Sequence, residues 1–179
     1  MDHLKPIALH TERLTLSAAT EADLPALLEV FVTNPTYTEL VQGPGGYSLD
    51  ELQRDWYVAG LTGRTMLAIR RVEDGAVIGA AEFMDEHPDG GEPGYLDLLL
   101  VRGDVQGQGY GSEVLGALLA HFAADRQWPT VRVAVAQHDE AALRFWRRHG
   151  FVPYAAAVRR LPGGETEFVC LERRPRNGA

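Results

Sequence analysis

Residues 106–111 read Gln-Gly-Gln-Gly-Tyr-Gly, and their neighbours give them meaning. They follow the apolar run Tyr-Leu-Asp-Leu-Leu-Leu-Val of residues 95–101 after the short linker Arg-Gly-Asp-Val. Beyond them Val114, Leu115, Leu118, Leu119 and Phe122 recur at the spacing of one helical stripe. The stretch is therefore a glycine-rich turn between a buried strand and the start of a helix. There the first amides lack intrahelical partners, and the aligned peptide dipoles leave partial positive charge. Glycines admit positive φ and let an anion approach the backbone. Gly107, Gly109 and Gly111, with the amides of Gln108 and Tyr110 ahead of the helix entered at Ser112, read as a cradle for a diphosphate.

Working outward, residues 12–19 alternate as a first strand, and Thr20 is placed to cap a helix that ends, with any extension, at Pro35. Ser48 and Glu51 form a capping box that opens a helix over 50–61. Residues 64–72 and 76–84 flank Glu-Asp-Gly as an antiparallel hairpin, and the acidic loop 85–94 leads into the strand at 95–101. A strand at 130–136, a helix over 139–150 and a closing pair of strands around 161–165 complete the chain. This order predicts a mixed α/β sheet with helices on both faces.

At 179 residues and 45% hydrophobic content, the chain has the size of one domain spanning 1–179. One cysteine, Cys170, excludes an internal disulfide framework, and no Cys/His spacing suits a metal. The N-terminus lacks a secretory core, and no run of apolar residues is long enough to cross a bilayer. A soluble cytoplasmic protein is expected, with no membrane partner. The net charge of −8 disfavours nucleic acid as a partner, since a phosphate backbone repels a surface of that sign.

A P-loop needs Lys and Ser/Thr after its last glycine, and neither follows here. A dinucleotide fingerprint needs a third glycine where Ser112 stands, and an acid about 20 residues on, whereas Asp139 is about 30 away. Gln106, Gly109 and Gly111 instead fit the Gln/Arg-x-x-Gly-x-Gly/Ala loop of the GNAT superfamily of N-acetyltransferases. Residues 139–151, with Asp139, Ala142, Phe145, Gly150 and Phe151 in register, resemble the family's Asn-x-x-Ala-x-x-Phe-Tyr-x-x-x-Gly-Phe segment.

The resemblance implies a mostly antiparallel sheet of about seven strands. Its fourth and fifth strands, 95–101 and 130–136, form a parallel pair that splays. It implies acetyl-coenzyme A as cosubstrate and direct attack by a primary amine of a small molecule or peptide, through a tetrahedral intermediate. It also leaves a homodimer as an expectation. In the family, pantetheine pairs with the exposed edge of the fourth strand, here near Leu99 and Val101, where a backbone N–H faces the thioester carbonyl.

An alkylamine arrives protonated, so a base is needed. Asp97, a lone carboxylate in an apolar strand, is the first candidate, pointing with Leu99 and Val101 unless a bulge intervenes. Glu82, acting through water, is the reserve. Trp146 stands where relatives carry a tyrosine as general acid, a role an indole does not fill. Tyr110 and Tyr154 are the hydroxyl candidates, and Trp146 is expected to pack along the pantetheine or in the core. Asp139 is expected to cap its helix. Phe31, Tyr37, Trp56 and Tyr57 are candidate walls of the acceptor pocket. Glu39, Asp55 and the acidic loop are candidates for attracting an amine. The rival to an enzyme is a non-catalytic acyl-coenzyme A-binding regulatory or structural domain that keeps the cradle without turnover.

Overall fold

A computed structural model of the chain describes residues 7–86, 90 and 93–174. The strands are β1 (Ala8–His10), β2 (Leu14–Ala18), β3 (Arg64–Arg71), β4 (Val77–Met84), β5 (Tyr95–Val101), β6 (Val131–Ala136), β7 (Val152–Leu161) and β8 (Gly164–Arg173). The helices are α1 (Leu24–Val32), α2 (Pro35–Gln42), α3 (Leu49–Leu61), α4 (Tyr110–Ala124) and α5 (Glu140–Arg148). The eight strands form one sheet in the order β1-β2-β3-β4-β5-β6-β8-β7. Every neighbouring pair is antiparallel except β5 and β6. The mixed architecture matches the sequence reading. The short β1 makes the sheet one strand wider than expected, so the expected fourth and fifth strands are β5 and β6.

Alternation along the strands divides the core in two. Leu14, Leu16, Leu67, Ile69, Ile78, Ala81, Phe83 and Leu96 pack on one face under α4 and α5, with Val114, Leu115, Leu118, Phe122 and Trp146. Met66, Ala68, Val77, Ala80 and Leu98 pack on the other under α1 and α3, with Leu24, Leu27, Val30, Phe31 and Leu52. The Ser48–Glu51 capping box is present: Glu51 N donates to Ser48 Oγ, and Ser48 N donates to Glu51 Oε2 at 2.8 Å. Thr20 opens a short 3-10 turn ahead of α1.

Pro35 is a correction. It begins α2, at a position where its missing N–H would have had no partner in any case, instead of closing the helix before it.

The central irregularity lies between β5 and β6. Their parallel pairing is confined to Tyr95 and Arg132, and Arg132 N donates to Gly94 O at 2.8 Å. Gly94 adopts φ +116, and a Cβ there would lie 2.1 Å from Thr130 O, so only glycine lets the two strands meet at this point. Beyond it they diverge, as the resemblance implied.

Candidate active site

After β5 the chain makes a 3-10 turn over Gly103–Val105 and enters the glycine loop. Gly107 and Gly109 have φ +75 and +83, and Gly109 is the left-handed N-cap of α4. A Cβ on Gly107 would project into open space, and one on Gly109 would meet only Arg13 Nη2 at 3.4 Å. The loop is thus held in a glycine conformation with room above it. The first amides of α4 point out of the helix there. Gly111 serves packing: its α-carbon faces Phe145 of α5 and Val101 of β5, and a Cβ would lie 3.4 Å from Phe145 Cε2.

Two struts fix this loop, and their distant partners, Arg13 and Asn34, have no local sequence signature. Arg13, one residue before β2, donates from Nη1 to Gln108 O at 3.0 Å and from Nε to Glu113 Oε2 at 2.7 Å. Its guanidinium also lies 4.4 Å from the centre of the Tyr110 ring. On the other side, Gln106 Nε2 donates to Asn34 Oδ1 at 2.8 Å and to Val101 O at 2.9 Å, while Asn34 Nδ2 donates to Val101 O at 3.0 Å. The Gln106 side chain therefore fastens the loop to the end of β5 and to the start of α2.

The loop opens onto a cleft of about 800 Å³ between the diverging strands. Of the residues singled out from sequence, Asp97, Leu99, Val101, Gln106, Gly107, Gly109, Tyr110, Gly111, Ser112, Asp139, Ala142, Phe145 and Trp146 line it. Gln108, Glu82 and Tyr154 do not. Arg102 N donates to Ile78 O at 2.8 Å, toward β4. Since backbone groups alternate along a strand, the N–H groups of Leu99 and Val101 face the gap toward β6.

A bulge sets the acidic chemistry. Leu98 pairs with Glu82 and Leu96 with Phe83, which leaves Asp97 as the extra residue on β5. Leu99 and Val101 pack with the α4 and α5 face, whereas Leu98 and Leu100 pack with the α1 and α3 face. Asp97 turns toward Arg64 and Glu82, so the expectation that it shares a face with Leu99 fails by one inserted residue.

Arg64 Nη1 lies 3.2 Å from Glu82 Oε1 and 3.6 Å from Asp97 Oδ2. Glu82 is buried at 6% exposure. Burial first, and then the charge of Asp97, push its carboxyl up to about 7, against the pull of Arg64. Nearby, burial pushes the Tyr37 phenol well up, with Asp97 and Glu82 adding to the shift. Tyr37 itself lines the cleft.

Of the remaining candidates, Trp146 is buried, edge-on to Phe145 and Phe151, which meets the packing expectation. Tyr110 is buried at the start of α4, with its ring packed under the Arg13 guanidinium. Tyr154 is 42% exposed on β7 under the Arg132 guanidinium, and the structure does not bring it to the cleft. Asp139 caps α5, accepting from Ala142 N at 2.9 Å. His149 bridges Phe145 O and Ser112 Oγ, tying the end of α5 to the first turn of α4.

Among the acceptor-side candidates, Phe31 is buried, Tyr57 is exposed, and Trp56 lines a separate hollow of about 370 Å³ between α3 and β3. Asp55 accepts from Tyr47 and Gln42. Asp85 is taken by Arg126 and Trp128. Residues 87–89 and 91–92 of the acidic loop lie outside the described residues. Cys170 is buried on β8, as expected of a small apolar residue. Among the described residues there is no group of three His, Cys, Asp or Glu that would hold a metal ion, and no helix long and apolar enough to cross a membrane.

The open glycine loop at the start of α4 and the unpaired edge of β5 thus lie along one cleft. Residues 13–152 match the family model described as the acetyltransferase (GNAT) domain, and the chain belongs to that family. It is an acetyl-coenzyme A-dependent N-acetyltransferase.

The fold is shared with solved acetyltransferases. The RimL ribosomal L7/L12 alpha-N-protein acetyltransferase in complex with coenzyme A superposes with a TM-score of 0.75 at 18% identity, over 94% of this chain and 98% of that one. An acetyltransferase from Salmonella typhimurium that modifies the N-terminal serine of ribosomal protein L7/L12 gives 0.74 at 19% identity, over 94% and 99%. Spermidine N-acetyltransferase from Vibrio cholerae, in complex with coenzyme A and spermine, gives 0.73 at 15% identity, over 92% and 97%. No curated protein matches the chain at the sequence level.

Proposed function

We propose that the whole chain works as one N-acetyltransferase domain in the cytoplasm, acetylating a primary amine of a small molecule or peptide, with the Glu82–Asp97 pair as the proton acceptor. The observation that carries this reading is the bulge. It presents Asp97 to the cleft wall and backs it with a buried Glu82 whose carboxyl is pushed up to about 7. A base works best when its proton affinity lies near the working pH.

The described residues fit the cosubstrate. The left-handed glycines open to free space, and the α4 amides point out of the helix. Leu99 and Val101 offer N–H groups along an unpaired strand edge. Acetyl-coenzyme A supplies an activated acetyl thioester. The chain's own share is to hold the diphosphate at Gly107 to Ser112, to line the strand gap with Leu99, Val101, Ala142, Phe145 and Trp146, and to aim a β5 N–H at the carbonyl oxygen. Asp97 takes the proton that leaves the acceptor's ammonium nitrogen, and Glu82 shares it. Neither Trp146 nor the distant Tyr154 is needed as a proton donor, because a thiol with pKa near 8.5 departs readily as thiolate.

The related folds act on a protein N-terminus in one case and on spermidine in another, which supports an amine acceptor without choosing its size. Thiol release from acetyl-coenzyme A across a panel of polyamines, amino sugars and peptides tests the reading. Turnover above hydrolysis with at least one amine is expected. Stabilisation by the coenzyme with no turnover on any amine contradicts it.

A further inference from the structure

Arg64 opens β3 directly after the Gly63 turn, and its side chain reaches across β4 to β5. One nitrogen, Nη1, serves both carboxylates, at 3.2 Å from Glu82 and 3.6 Å from Asp97. The other titratable groups around the pair are Tyr37 from α2, Tyr47 from the segment before α3, Asp55 from α3 and Tyr95 from β5, the last bonded by Arg159 of β7, with apolar Phe31 from α1 beside them. Among the described residues neither carboxylate has a second ion-pair partner. A buried acid with only acidic neighbours keeps its proton and is no base. Arg64 is therefore the cation that ion-pairs with both carboxylates, and its charge opposes the burial that keeps the proton on Glu82.

We propose that Arg64 is a positioning residue that holds the Glu82–Asp97 pair in its proton-accepting state. The inference rests on the reading of that pair as the base. It adds that the base functions at neutral pH because of a residue that need not touch either substrate. The guanidinium lies within ion-pair distance of both carboxylates, and it pulls the Glu82 carboxyl down against the upward push of burial. The Arg64 side chain is 43% exposed, so part of this attraction is screened by water and salt.

The test is the pH profile of kcat/KM for the amine, from about pH 5.5 to about pH 9.5, in wild type, Arg64→Gln and Arg64→Lys, beside Asp97→Asn and Glu82→Gln. Arg64→Gln is expected to move the acidic limb up by roughly one pH unit, with near wild-type rates at the alkaline end. Arg64→Lys, which keeps the charge, is expected to bring the limb most of the way back. Coenzyme A affinity is expected to stay unchanged throughout, which separates this role from a loss of fold. Should the glutamine variant be unstable, Arg64→Met keeps the aliphatic stem and makes the same comparison.

An acidic limb that stays in place in Arg64→Gln while Asp97→Asn moves it overturns the role of Arg64 alone. A limb unmoved in Asp97→Asn and Glu82→Gln alike overturns the reading of the pair as the base. A raised amine KM with an unmoved limb makes Arg64 a substrate contact instead, and also overturns the proposal.

Discussion

An aspartate inside the run Tyr-Leu-Asp-Leu-Leu-Leu-Val stands out in the sequence as a lone carboxylate among apolar residues. Its direction was not legible there, because a bulge depends on how β5 pairs with β4 and leaves no mark in the alternation of one strand. Asp97→Asn keeps the shape and removes the charge. It is expected to lower kcat/KM roughly 100-fold or more at neutral pH and much less at alkaline pH, where free amine is already present; steady-state rates against pH check this.

Glu82 makes a separate prediction about stability. Its carboxyl is raised above its ordinary value, so the folded state holds that proton more tightly than the unfolded chain does. The stabilisation is fully present below the unfolded value of 4.5 and is lost as pH rises through about 7. Glu82→Gln removes that loss. The variant is expected to gain melting temperature relative to wild type as the pH is raised from about 5 to about 8, read by thermal denaturation at both values. The gain would come with reduced turnover, the usual exchange at a strained functional site.

At the scale of elements, helix starts were the most legible features, because a cap is a local bargain between a side chain and the amides three residues on. Ser48 and Asp139 both behave as their sequence context requires. Asp139→Ala is expected to destabilise the protein by about 1 kcal/mol, and Asp139→Asn by far less, in denaturant melts. Pro35 misleads because proline fits the first turn of a helix as well as it ends one, and only the packing of α2 beside the cleft decides between them.

The glycine loop was legible as a turn into a helix, yet its supports were not. Arg13 and Glu113 are 100 residues apart, and Asn34 meets Gln106 across 72. Arg13→Ala frees the Gln108 carbonyl and Oε2 of Glu113, while Thr11 Oγ1 and the backbone N–H of residue 13 still hold Glu113 Oε1. It is expected to raise KM for acetyl-coenzyme A several-fold with little change in kcat, since Arg13 touches the loop and not the reacting groups.

Across the whole molecule, one sheet carries two cores and is split at a single place. Gly94 closes β5 on β6 at one end, and the divergence beyond it creates the cleft proposed to hold both substrates. The α4 and α5 face delivers the anion-binding loop and the apolar lining, while the α1 to α3 face delivers Arg64, Glu82 and the bulged Asp97. Catalysis in this account is the meeting of those two faces through the gap in the sheet.

The proposed function rests on the main-chain N–H groups at Gly107 to Ser112, at the start of α4, holding the coenzyme diphosphate. Calorimetric titration of coenzyme A into wild type and Gly109→Val tests it most directly. Valine cannot hold φ +83 without strain, so the loop must rearrange while the rest of the fold, followed by circular dichroism, persists. Saturable binding by wild type and an affinity at least about tenfold weaker in Gly109→Val are expected. Equal affinities in the two proteins, or no uptake of heat by wild type at millimolar coenzyme, would contradict that hold on the diphosphate.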